Sequence, residues 1–174
     1  VYHLQLIDNA IANNNDVEAL EAVQRWCEES PRSIDAQLAG AAVALARHDY
    51  VLARLHLASA RSLASTHPEV CYLLGIAAYK EQDFPTAQRE LSLASHLDRD
   101  KWYAALLLSM TDQRLGNATA EWRALESAIR GLQSPAPATP PVSTMWIASA
   151  HDCPADALAY ATNRLQTLIE THAA

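Results

Sequence analysis

The chain is 174 residues long and half hydrophobic, with 4 glycines and a formal charge of −7. That is enough apolar material for a buried core and excludes disorder of the whole, while abundant alanine and scarce glycine favour an all-α fold. Only 13 Lys and Arg stand against 20 Asp and Glu, so neither a nucleic-acid interface nor a polybasic membrane patch is expected.

In chain order, a first helix is expected from about Tyr2 to Ala12 and a second from Asp16 to Glu29, closing before Pro31. Beyond these the chain repeats itself. The stretch HDYVLARLHLASARSLA at 48–64 returns as QDFPTAQRELSLASHLD at 82–98, so that Asp49 pairs with Asp83, Tyr50 with Phe84, Ala53 with Ala87, Leu57 with Leu91 and Ala60 with Ala94. Each pair is 34 residues apart, and the same step leads back to Ala19 and forward to Ala128. A fixed period of this size marks a solenoid, whose units bury their apolar faces only against one another.

Within the unit that begins at Pro68, proline occupies a first helical turn, where its missing N–H is no loss. Leu74, Gly75 and Ala78 then share a face, with Gly75 letting a neighbouring helix come close. After the turn KEQD a second helix is expected from about Phe84 to Leu97, with Ala87, Leu91 and Ala94 on one stripe. The next unit keeps small residues at Ser109 and Ala128, but Glu121 stands where alanine is expected. The stretch SPAPATPPVSTMW at 134–146 carries four prolines and reads as an extended connector, because proline breaks a helix interior. A last helix is expected from about Pro154 to Thr171.

Cys71, Leu74, Gly75, Ala87, Leu91 and Ala94 fall on the signature positions of a known motif, and the chain resembles the tetratricopeptide repeat (TPR) family. Cys71 and Leu91 depart from its aromatic preference; the small-residue positions match better. The resemblance implies a right-handed α-solenoid of helix-turn-helix repeats at about 1–33, 34–67, 68–101 and 102–133. A proline-rich connector at 134–150 and a degenerate repeat or capping helix at 151–174 would follow.

Catalytic parts are not evident. Gly40, Gly75, Gly116 and Gly131 are too scattered to cradle a phosphate, and His48 beside Asp49 implies no nucleophile. His67 with Cys71, and His151 with Cys153, lack the second ligand pair of a structural zinc site. No cofactor or metal is therefore expected, the protein is not read as an enzyme, and Cys27, Cys71 and Cys153 are read as reduced thiols. The runs YLLGIAAY and YAALLLSM are far short of the roughly 20 residues that span a membrane. A soluble protein is expected, the cytoplasm being favoured over the periplasm. Arginine outnumbers lysine 11 to 2, a bias compatible with a GC-rich bacterial source.

In proteins of the resembled family the first helices of successive repeats line a concave surface that holds a partner. Carried onto this chain, that face comprises Leu38, Ala42 and Leu45, then Tyr72, Ile76, Tyr79 and Lys80, then Tyr103, Leu106, Met110 and Arg114. Such a groove suits a protein or peptide segment with apolar anchors, and the lack of early basic residues disfavours a carboxylate clamp. The implied function is a scaffold, adaptor or chaperone, of the kind found among bacterial secretion chaperones and assembly factors. Two other uses of the same apolar face are open: simple packing between crowded helices, or an oligomerisation domain that covers it with its own tail or with a second copy in a homodimer.

Overall fold

The computed structural model describes residues 2–13, 15–99, 101–134 and 156–172, and every regular element among them is an α-helix. In chain order these are α1 (Tyr2–Ala12), α2 (Asp16–Glu29), α3 (Ile34–Ala46), α4 (Tyr50–Leu63) and α5 (Pro68–Lys80). Then follow α6 (Phe84–Leu97), α7 (Trp102–Leu115), α8 (Ala118–Leu132) and α9 (Ala157–His172). Helices α1, α2 and α6 have the expected bounds. The proline-rich stretch from residue 135, with His151, Cys153 and Pro154, lies outside the described residues.

Local chemistry sets the hairpins. Asn15, Asp49, Asp83 and Asn117, spaced 34 apart, are the N-caps of α2, α4, α6 and α8. Their side chains accept the backbone N–H of Glu18, Leu52, Thr86 and Ala120, satisfying donors that the first helical turn leaves unpaired. The residue before three of these caps has a positive φ: His48 at 60°, Gln82 at 63° and Gly116 at 70°. The preceding helix is closed by a left-handed residue and a long backbone bond, from Asp49 to Ala44, Asp83 to Ala78 and Asn117 to Asp112, each at 2.9 Å. Only Gly116 adopts this conformation without a Cβ penalty.

Small residues then set how closely the hairpins stack. Ala19, Ala53 and Ala87, at one repeat position, are fully buried, as are Ala60, Ala94 and Ala128 at another. A Cβ on Gly75 would lie 2.5 Å from Leu91 Cγ, so glycine lets α5 rest on α6. The core is continuous along the stack: one cluster joins α1, α2 and α3, a second runs from α3 to α7, and a third joins α7, α8 and α9. The result is a TPR-like α-solenoid of consecutively packed hairpins, with α9 against its C-terminal end. In α9, Ala161 and Leu168 cover Leu106, Leu125 and Ala128, apolar surface that a terminal unit would otherwise expose.

Glu121 occupies the position of Ala19, Ala53 and Ala87, yet it is only 3% exposed. A buried carboxylate needs a partner, and Arg164 of α9 supplies one, donating from Nε to Oε1 at 2.6 Å and from Nη2 to Oε2 at 3.1 Å. The departure from the repeat pattern is thus the attachment point of the last helix.

Candidate partner-binding face

The two helices of each hairpin are buried differently. Helices α4, α6 and α8 bury a stripe, whereas α3, α5 and α7 each bury eight residues spread around their circumference. Of these three inner helices, α3 packs against α2, α4 and α5, helix α5 against α3, α4 and α6, and helix α7 against α6 and α8.

This crowding divides the residues predicted for the concave face into two groups. Ala42, Leu45, Tyr72, Ile76, Tyr103 and Leu106 are buried. In this arrangement they join helix to helix and do not form an open wall. They belong to the apolar clusters that join the helices. Leu38, Tyr79, Lys80 and Met110 are half-buried and Arg114 is exposed.

Tyr72 and Tyr103 meet edge to face, with ring centroids 4.9 Å apart, and so tie α5 to α7. The Tyr103 hydroxyl donates to Glu69 Oε1 at 3.0 Å, and Lys101 Nζ donates to the same oxygen at 2.5 Å. Burial, then the Glu69 charge, pushes the Tyr103 phenol above its ordinary range, so it acts as a neutral donor. Among the described residues Glu69 Oε2 has no hydrogen-bond partner. Glu69 therefore anchors the inner layer, with Lys101 and Tyr103 on one oxygen.

The accessible part lies further along, where α5 and α7 end. Tyr79 meets the ring of Phe84 edge to face at 5.6 Å, and the Arg114 guanidinium lies 6.0 Å from the centroid of the same ring. Lys80, one residue beyond Tyr79, and Met110, one turn before Arg114, flank this cluster. Burial pushes the phenol of Tyr160 of α9 upward, the Arg164 charge opposes this, and Glu121 and Tyr79 add to it. Phe84 and Tyr160 were not predicted. The recurrence of an aromatic at Tyr50 and Phe84 after the turn aspartate was the available signal for Phe84; Tyr160, in a helix outside the clear period, had none.

Among the described residues no three His, Cys, Asp or Glu side chains come together as metal ligands, and no helix is long and apolar enough to cross a membrane. His67 is the N-cap of α5 but makes no side-chain capping bond. Cys71 is buried, its thiol 3.9 Å from Arg61 Nη2. Burial is the main cause of the upward shift of the Cys71 thiol, away from the reactive thiolate.

No family model matches the chain, and no curated protein matches it. Solved structures do resemble it. The MamA protein is 16% identical with a TM-score of 0.64, over 99% of this chain and 92% of that one. PilF of Pseudomonas aeruginosa is 17% identical with a TM-score of 0.70, over 98% of this chain and 74% of that one. A MamA RS-1 double mutant is 13% identical with a TM-score of 0.64, over 98% and 94%. At these identities the likeness is one of fold.

Proposed function

We propose that the chain is a non-catalytic protein-interaction module, a scaffold or chaperone that takes a partner segment across the inner helices at the ends of α5 and α7. The supporting observation is the accessible cluster of Tyr79, Phe84 and Arg114, flanked by Lys80 and Met110, on an otherwise buried helical layer. Aromatic rings bury a large area with few rotors, and the cations favour an acidic flank on the partner. Leu38 gives the same face an apolar point in the repeat before that of Tyr79. The likeness in fold to MamA and PilF fits a helical-repeat platform.

Affinity capture from the source cell tests this reading. A Tyr79→Ala, Arg114→Glu variant should keep its helix content and lose at least about tenfold of the captured partner. Undiminished capture would reject the site. A solution dimer of the wild type that this variant dissolves would identify the chain as an assembly domain.

A further inference from the structure

The outer helices α2, α4, α6 and α8 leave clefts between them, and the repeat allows these to be compared residue by residue. Leu20, Gln24, Cys27, Leu52 and His56 line a cleft of about 470 Å³ between α2 and α4. Sixty-eight residues on, Gln88, Ser92, Ser95, Ala120 and Ala124 line a cleft of about 390 Å³ between α6 and α8. The two are the same architectural site. The first is the more apolar; the second has serines at 92, 95 and 127 and Arg89 and Arg123 on its walls.

The gap between α4 and α6 differs from both. There the counterparts of Cys27 and His56 are Arg61 and Glu90, which form an ion pair at 2.5 Å that spans the two helices. Glu90 is 4% exposed, so this gap is filled by the chain's own charges. Among the described residues Cys27 and His56 form no such bridge across the α2–α4 gap. His56 instead turns inward to Gln37 Oε1 at 2.9 Å, its ring seated on Gly40, where a Cβ would come within 2.7 Å.

The apolar surface continues past the cleft. Val51 and Leu55, beside Leu52 and His56 on α4, are 75% and 63% exposed, and Val17, one turn before Leu20 on α2, is 65% exposed. The helix α2 is net acidic, with Asp16, Glu18, Glu21, Glu28 and Glu29 against Arg25; of these Glu28 lines the cleft, while Glu29 turns to His3 of α1.

We propose that the α2–α4 cleft is a second docking site, which takes an amphipathic helix of a partner protein with aliphatic residues on one side and lysine or arginine on its flank. Two helical walls of about 20 Å suit a helix laid lengthwise between them, and Glu28 in the lining, on a net-acidic α2, favours a cationic flank. A second copy of this chain is a poor occupant, because two acidic α2 helices would face each other. The site is on the outer layer and is independent of the Tyr79 and Arg114 cluster.

The neighbouring repeats supply the test. Cys27→Arg with His56→Glu transplants the pair that fills the α4–α6 gap and leaves the formal net charge unchanged. Leu20→Gln with Leu52→Ala installs the residues of the α6–α8 cleft. The probe is an 18-residue Leu/Lys peptide patterned as an amphipathic helix, with a Leu/Glu peptide of the same pattern as control, followed by fluorescence anisotropy. The wild type should bind the Leu/Lys peptide at about micromolar concentration and the Leu/Glu peptide at least about tenfold more weakly, and each double variant should lose about tenfold. The proposal is overturned if the wild type does not bind the Leu/Lys peptide, if both folded variants bind it as the wild type does, or if sedimentation shows a wild-type dimer that the variants dissolve. Circular dichroism monitors folding; if the transplanted pair prevents it, the Leu20→Gln, Leu52→Ala variant decides.

Discussion

The Arg164 guanidinium forks onto Glu121, with Nε to Oε1 at 2.6 Å and Nη2 to Oε2 at 3.1 Å, at the repeat position that three earlier units fill with alanine. The two partners are not equally exposed: the Glu121 side chain is 4% accessible and that of Arg164 27%. Arg164→Ala strands a buried carboxylate and should cost about 2–4 kcal/mol, read by urea denaturation, with faster amide exchange in α9. Glu121→Ala lets Arg164 turn to solvent and restores the residue used elsewhere in the repeat, so it should cost less. Equal losses from the two variants would mean that the ion pair does not hold α9.

At His48 and Gln82 a side chain occupies the left-handed backbone region that Gly116 adopts freely at the corresponding turn. Gln82→Gly should therefore be neutral to stabilising, by up to about 1 kcal/mol, while Gly116→Ala should destabilise by a similar amount. Thermal melts of the two variants should move in opposite directions or, at the least, only the second should fall.

Gly75→Ala places a methyl 2.5 Å from Leu91 Cγ and 2.7 Å from Leu91 Cδ2, both inside a packed interface. The expected loss is about 1–3 kcal/mol. Adding Leu91→Val should recover part of it if the contact is the cause, which a double-mutant cycle measures.

Asp112 is 1% exposed; burial raises its carboxyl pKa, the Gln88 amide that donates to it offsets part of this, and the nearby Glu121 charge adds to it. With a folded pKa above the unfolded one, the group favours folding below the ordinary carboxyl range and loses that contribution as pH rises through the raised value. Asp112→Asn has no charge to bury, so it should be more stable than the wild type at pH 7. The difference should shrink toward zero as pH falls to about 3.8, the ordinary aspartate value. A pH-independent gap would assign the effect to packing.

The helices were legible because their signals are local and periodic. Capping residues at 15, 49, 83 and 117, small residues one turn into α2, α4 and α6, and Pro68 and Pro85 at helix starts fix the boundaries with no long-range information. The open part of the inner face was not legible. Tyr72 and Tyr79 look alike in sequence, two apolar rings on one helix seven residues apart. Which one is sealed depends on Tyr103 and the helices packed beside it. Glu121 read as a blemish in the last unit because its partner, Arg164, lies 43 residues on, beyond any repeat.

The turns that close each hairpin also bear on how the chain reaches its fold. Among the described residues every backbone bond that defines a turn joins residues at most five apart, and each cap bond spans three. Each hairpin can therefore form before its neighbours, with little loop-closure entropy to overcome, and the stack can then grow from any of them. Folding should be fast for a chain of this length, with the final step the seating of α9 on α8.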